Sequence, residues 1–489
     1  MVCGATSGAG KSTVSAALCR SLARRGLNVA PFKAQNMSNH AAVTGDGGEV
    51  GRAQAMQALA ANVPLERRMN PILLKPTSDQ RSHLVVMGEE VSTTDAFGYG
   101  ATARRLRPMV LDALTSLRFD YDWVIAEGAG GAAEINLLDR DLVNLPLALA
   151  AGIPAILVVD IERGGAFAAA HGTIDLLPDM LRSQIVGVVF NRFRGDAALL
   201  ESGITQLEAR SGVPVLGVLP HLGGVPMLGV EDSLDIGITP PRSVNSSLPV
   251  RVAVIRLPHL ANPSDLDPFA VESHVAMRWV TEPSEIIDAD LVVIPGSRTT
   301  VDDLAWLRAT GIASALEHTD AWVVGICGGY QMLGHVINDT IESDAGTVPG
   351  LGLLKVETTF TTPKLVRRRH GLAAQYRVHG YEIRFGRPRS HDQPWFHLDD
   401  EPEGAADTAN NVYGTSLHGL FDADAFRSRF LASIAEDRGR IYEPSPISFT
   451  DRLDGQNDRL ADWIEAHIDV PHIIDLAGRA LPPAEAAGW

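Results

Sequence analysis

Cysteine is scarce, with only Cys3, Cys19 and Cys327 in 489 residues. Three thiols cannot all pair with one another, and none lies in a close Cys/His cluster, so a disulfide framework and a zinc site are both disfavoured. What remains is a free thiol available for chemistry. No apolar run reaches the roughly 20 residues that a helix needs to span a bilayer. The N-terminus runs almost directly into Gly4, without the basic region, apolar core and small-residue cleavage site of a secretory signal. The expectation is a cytoplasmic protein with no membrane segment. Positive charge is also in deficit, 42 Lys and Arg against 59 Asp and Glu, for a formal net charge of -17. A broad nucleic-acid surface needs clustered cations and is disfavoured, although a local basic pocket for an anionic substrate is not.

The length calls for two or three cores at roughly 100 to 200 residues per domain. Val14 to Arg25 reads as a helix and Asn28 to Phe32 as a strand. The short apolar runs Trp123 to Ala126, Ala155 to Asp160 and Ile185 to Phe190 suit buried parallel strands separated by helices. This alternation is that of right-handed crossovers, which gather functional loops at the carboxyl ends of the strands. Thr239 to Pro249 is rich in proline and small polar residues and reads as a connection between domains. Beyond it, Val250 to Ile255, Leu291 to Ile294 and Trp322 to Ile326 begin a second α/β set.

The first chemical pattern runs Gly4-Ala5-Thr6-Ser7-Gly8-Ala9-Gly10-Lys11-Ser12-Thr13. Backbone N-H groups of such a loop surround phosphate oxygens, the following helix N-terminus adds positive potential, and Lys11 supplies a point charge. Gly8, Gly10, Lys11, Ser12 and Thr13 are therefore nucleotide-binding candidates, with Ser12 placed for Mg²⁺. Gly4 stands one position earlier than the usual spacing, which resembles the dethiobiotin-synthetase-like branch of phosphate-loop enzymes. Glu127 ends an apolar strand before Gly128 and is the candidate metal-side carboxylate opposite Ser12. Only Met1, Val2 and Cys3 precede Gly4, short of a typical strand, which raises the expectation that the natural start lies upstream.

The second pattern is Gly325-Ile326-Cys327-Gly328-Gly329. A strand-to-helix corner of this kind projects its central side chain, and the N-H after the nucleophile can face an oxyanion. Cys327 is the candidate nucleophile and His418 its candidate base, since a thiol of ordinary pKa needs a partner at neutral pH. Gly328 and Gly296, the latter in Pro295-Gly296-Ser297 after another buried strand, are the candidate oxyanion donors.

Further strings carry a resemblance. Phe32-Lys33-Ala34-Gln35-Asn36-Met37-Ser38, Gly48-Glu49-Val50-Gly51-Arg52-Ala53-Gln54, Met69-Asn70-Pro71-Ile72-Leu73-Leu74-Lys75-Pro76, Asp160-Ile161-Glu162-Arg163-Gly164-Gly165 and Asn191-Arg192-Phe193-Arg194-Gly195-Asp196 resemble the motif series of the cobyric acid synthases over nearly the whole chain. The resemblance implies two α/β domains. Residues 1–240 would form a doubly wound P-loop NTPase domain, a dethiobiotin-synthetase-like ATP-binding amidoligase. Residues 250–489 would form a class I, flavodoxin-like glutamine amidotransferase domain. It implies ATP and Mg²⁺, a corrinoid substrate and glutamine, and amidation of the b, d, e and g carboxylates of adenosylcobyrinic acid a,c-diamide. Lys33 would then serve phosphates or the substrate carboxylate, and Asn191 the adenine side. Homo-oligomerisation is left open.

Three departures bear on this expectation. Leu420 stands where many class I amidotransferases have an acid two residues after the catalytic His, so a Cys-His dyad is expected, with Glu382 and Asp422 as unranked orienting acids. Arg384 and Arg298 replace residues more usual in the family strings, His and Lys. The basic run Lys364 to His370 reads as a solvated loop before a corrinoid carboxylate clamp. Two rival classes remain: an amidase acting on another acid, such as a cobyrinate a,c-diamide synthase or a cell-wall precursor amidase, and a partitioning-type phosphate-loop ATPase. The ATPase would have no need of Cys327 and His418.

Overall fold

The computed structural model describes residues 1–78, 81–223 and 250–478. They fall into two compact units, and the expected connection over 239–249 lies outside the described residues.

The first unit is built on parallel strands β1 (Val2–Gly4), β2 (Val29–Phe32), β3 (Trp123–Ala126), β4 (Ala155–Asp160), β5 (Ile185–Phe193) and β6 (Val215–Pro220). One ladder runs β1-β4-β5-β6 and another joins β2 to β3. The Val2–Glu127 bridge and the Gly128 N-H to Val2 O bond place β3 beside β1, giving the order 2-3-1-4-5-6. Residues Ala155 to Val159 are buried without alternation, as expected of strands covered on both faces. Helix α1 (Lys11–Arg24) follows the phosphate loop and turns Val14, Leu18 and Leu22 into one buried stripe against Val29, Ile125 and Ile156. Gly26, at φ 81°, ends it by donating to Ala23 O.

Residues 454–478 also belong to this unit, contrary to a single cut near 240. On the long C-terminal helix, Leu460, Trp463 and Ile464 enter the core that holds α1. Charge complementarity runs alongside: Arg20 faces Asp454 and Asp458, Arg24 faces Asp462, and Arg25 faces Glu465. These ion pairs are partly exposed and individually weak, so the shared apolar stripe accounts for most of the attachment.

The second unit holds residues 250–453 together with 39–47, another departure from a single cut. Its main sheet comprises β7 (Val250–Ile255), β8 (Val275–Val280), β9 (Leu291–Ile294), β10 (Trp322–Ile326), β11 (Ala405–Asp407) and β12 (Val412–Thr415), in the order 8-7-9-10-12-11. All neighbours are parallel except the β11–β12 pair. Cys327, Gly296 and His418 thus leave the carboxyl ends of β10, β9 and β12, the edge where open α/β sheets place their chemistry.

Beside this sheet, Val356–Ala373 and Tyr376–Ser390 form a long antiparallel pair. Lys364 to His370 lies on its first strand, so the expected solvated loop is corrected. Arg367 and Arg369 bind the buried Glu382, Arg369 also reaches Asp399 and Glu401, and Lys364 sits over the Phe385 ring. The arginines serve a buried carboxylate that would otherwise be stranded away from water.

Candidate functional site

In the first unit the phosphate loop turns at Gly8 (φ 70°) and Gly10 (φ 92°). Gly10 is also required by space, because a Cβ there would lie 2.2 Å from Asn191 Nδ2. Lys11 is buried and donates to Thr6 O at 3.2 Å and Gly130 O at 3.0 Å, which fixes its ammonium inside the loop. Ser12 Oγ donates to Glu127 Oε1 at 2.7 Å, and Lys33 Nζ reaches the same oxygen at 2.7 Å. Gln57 Nε2 donates to Glu127 Oε2. One buried strand-end carboxylate thus gathers the loop hydroxyl, a cation from β2's end and an amide from helix α2 (Arg52–Ala60). Gln57 went unnoticed in the sequence because nothing local marks it. The hydroxyl and carboxylate are hard oxygen ligands, the donor type Mg²⁺ takes. Thr13 is half-buried at the start of α1. Asn191 donates to Ala9 O at 2.9 Å, bracing the loop from behind.

In the second unit Cys327 adopts φ 50°, ψ −105°, an unfavourable conformation for a residue with a Cβ. The corner is held by Cys327 N-H on Thr415 O at 2.7 Å and by Gln331 N-H on Cys327 O at 3.0 Å. Glycine is demanded behind it, since a Cβ on Gly329 would meet Ile294 O at 2.0 Å. His418 Nδ1 lies 2.7 Å from Asp265 Oδ2, leaving Nε2 as the nitrogen to exchange a proton with the thiol. The other Asp265 oxygen accepts the Gly419 N-H at 2.9 Å. Burial opposes charge on His418, but Asp265 and the nearby Cys327 sulfur, through charge and hydrogen bonding, outweigh it and hold the imidazolium well above its usual range. The Tyr381 ring stacks on the imidazole at 5.2 Å and 21°, and the two backbones exchange hydrogen bonds of 3.0 and 2.8 Å.

The expected dyad therefore has a third member, and it is neither Glu382 nor Asp422. Glu382 is consumed by Arg367, Arg369 and Arg384. Asp265 arrives on a short 3₁₀ turn, Pro263–Leu266, 153 residues before His418. No spacing rule connects positions so far apart.

The oxyanion expectation also shifts by one residue. Leu260–Ala261 pairs antiparallel with Gly296–Ser297, and Arg298 N-H donates to His259 O at 2.9 Å. Alternation along that ladder turns the Gly296 N-H toward Ala261 and the Ser297 N-H away from it. A Cβ on Gly328 would lie 2.8 Å from the Ser297 nitrogen, so this N-H faces the Cys327 corner. Ser297 Oγ is anchored on Asp303 at 2.6 Å, and Asp303 also holds His259.

The other two cysteines differ sharply. Burial pushes the Cys3 thiol up to about 12 and raises Cys19 further, the state of inert core sulfur.

Comparison with known proteins agrees with the two constellations. Residues 1–232 match the family model of the CobQ/CobB/MinD/ParA nucleotide binding domain, and residues 251–426 that of the CobB/CobQ-like glutamine amidotransferase domain. Cobyric acid synthases of Nocardia farcinica, Frankia casuarinae and Rhodococcus jostii are each 47% identical to this chain. They align over 96%, 99% and 99% of it and over 94%, 97% and 96% of themselves. The chain belongs to the cobyric acid synthase family.

As a cobyric acid synthase family member it is an amidating ligase with a nucleotide-binding domain followed by a glutamine amidotransferase domain. The expected α/β pairing stands. No helix among the described residues is long and apolar enough to cross a membrane.

Proposed function

We propose that this cobyric acid synthase amidates the b, d, e and g carboxylates of adenosylcobyrinic acid a,c-diamide in the cytoplasm, using MgATP and glutamine. The observation that carries the reading is the buried Cys327–His418–Asp265 array on a strained corner, in a chain that also holds the Lys11–Ser12–Glu127 cluster.

Residues 48–223 with 1–38 would run the amidoligase half. A carboxylate is a poor acceptor for ammonia until one oxygen becomes a leaving group, so the acceptor is first phosphorylated by ATP. Lys11 and the loop N-H groups after Gly8 bind the phosphates. Ser12 and Glu127 would hold Mg²⁺, which supplies charge neutralisation at the transferring phosphoryl group. Lys33, beside Glu127, is aimed at the phosphates or the acceptor carboxylate, and Asn191 braces the loop on the adenine side.

The second half supplies ammonia. His418 takes the Cys327 proton, and the sulfur attacks the glutamine amide carbon. The N-H groups of Ser297 and Gly328 stabilise the resulting oxyanion. His418 then protonates the departing ammonia, leaving a thioester that water hydrolyses to glutamate. Asp265 keeps Nδ1 protonated and stabilises the imidazolium, so Nε2 is the exchanging nitrogen throughout.

The test is to incubate the protein with MgATP, glutamine and adenosylcobyrinic acid a,c-diamide and follow product mass, beside Cys327→Ala. Stepwise exchange of acid for amide is expected. In the variant it should vanish with glutamine and return with ammonium. No mass change from an ATP-competent wild type would overturn the corrinoid acceptor.

A further inference from the structure

Residues 39–47 stand between two strings of the nucleotide half, yet they pack within the second unit. Ala41 is fully buried there, and its peptide groups are held from two sides. Its N-H donates to Asn262 Oδ1 at 3.1 Å, and its C=O accepts from the Tyr381 hydroxyl at 3.3 Å. Two residues further, Val43 O accepts from Arg368 Nε at 2.9 Å.

Both partners of Ala41 lie one step from the glutaminase base. Asn262 is buried in the left-handed region (φ 48°) and opens the turn carrying Asp265, whose N-H donates to Asn262 O at 3.1 Å. Tyr381 stacks on His418 and shares two backbone hydrogen bonds with it. The contacts close a ring from Ala41 through Asn262, Asp265, His418 and Tyr381 back to Ala41.

We propose that the main chain of Ala41 is part of the glutaminase site, setting the orientation of His418 through the positioning residues Asn262 and Tyr381. The ring is geometrically economical. Asp265 fixes the nitrogen and plane of the imidazole from one edge, Tyr381 fixes it from a face, and the two peptide groups flanking one residue, Ala41, hold both. Its physical consequence is that glutamine hydrolysis depends on a segment inserted from the nucleotide half, whose neighbours in sequence, Lys33 and Glu49, are buried polar residues of the other unit. A shift of a few tenths of an ångström in the imidazole costs rate without abolishing glutamine binding, because near-attack geometry is more demanding than binding.

The inference rests on the glutaminase reading above, and the test separates the two. Full-length wild type, Asn262→Gly, Asn262→Asp and Tyr381→Phe are assayed for glutamine hydrolysis and for amidation driven by ammonium. Glycine retains the positive φ while deleting the acceptor, and aspartate retains both. Asn262→Gly should lower kcat for glutamine about tenfold, with KM and ammonium-driven amidation unchanged. Asn262→Asp should restore most of that loss. Tyr381→Phe, which removes the 3.3 Å hydrogen bond to Ala41 O and keeps the stack, should lose about twofold. Wild-type kcat in Asn262→Gly, or equal losses with glutamine and ammonium, would overturn the proposal. A wild type unable to hydrolyse glutamine would instead remove the reading beneath it.

Discussion

The two reactive clusters are assembled in opposite ways. Around Glu127, three side chains converge on one carboxylate, and the loop that supplies Lys11 and Ser12 is a continuous stretch of chain beginning at Gly4. Around His418, the partners come from positions 265, 327 and 381, each on a different element, with the main chain of Ala41 beyond them. A phosphate loop is made largely of consecutive backbone N-H groups, so the loop is legible in its local sequence, although Lys33, Gln57 and Glu127 join it from other elements. A nucleophile and base need a mutual distance and angle, which only the tertiary fold provides.

This contrast is best broken at Asp265. Asp265→Asn should reduce kcat for glutamine hydrolysis by about 10² to 10⁴, because the wrong tautomer is held and the imidazolium loses its partner. The carboxylate raises the His418 pKa, so its removal moves the His418 limb of the pH–rate profile to lower pH. A profile that keeps its shape while losing amplitude would place Asp265 outside the proton-transfer chain.

On the other side, Glu127→Gln should cost about 10² to 10³ in amidation whichever nitrogen source is used, while glutamine hydrolysis measured by glutamate release persists. Loss of hydrolysis in that variant would show that the clusters are not chemically separable.

A smaller effect is expected at Gly10→Ala, where a Cβ must displace the Asn191 amide and accept φ 92°. ATP affinity should weaken by about tenfold, read by titration calorimetry, with glutaminase activity untouched.

The smallest concerns Glu403, buried behind the glutaminase strands, which accepts Thr415 Oγ1 and the Ser416 N-H, both at 2.7 Å. Burial pushes its carboxyl up to about 7. Between pH 4.5 and 7 the folded form keeps a proton that the unfolded chain has released, so this group's contribution to stability falls as pH rises through that window. In Glu403→Gln the decline of Tm over those pH values should be shallower than in the wild type.

The difference in assembly also explains what could be read in advance. The strands ending at Ala126, Asp160, Ile255, Ile294 and Ile326 announce themselves as short buried apolar runs, and structure and expectation agree there. Cys327 and Lys11 are marked by the glycines that their backbone geometry requires. Asp265 carries no such mark, since any acid on any loop could have met His418. Ser297 was displaced by one position because the facing N-H depends on ladder parity. The arginines of 364–370 looked solvent-bound until Glu382, on the neighbouring strand, gave them a buried counter-charge. The assignment of 39–47 and 454–478 to the units opposite their sequence neighbours depends on long-range packing that composition does not encode.

The division of labour is tested most directly by one ratio, glutamine-driven over ammonium-driven amidation of adenosylcobyrinic acid a,c-diamide, in Asp265→Asn and Glu127→Gln. The expected result is a collapse of the ratio in Asp265→Asn with the ammonium rate intact, and an unchanged ratio in Glu127→Gln with both rates low. An unchanged ratio in Asp265→Asn, or a collapsed one in Glu127→Gln, would contradict it.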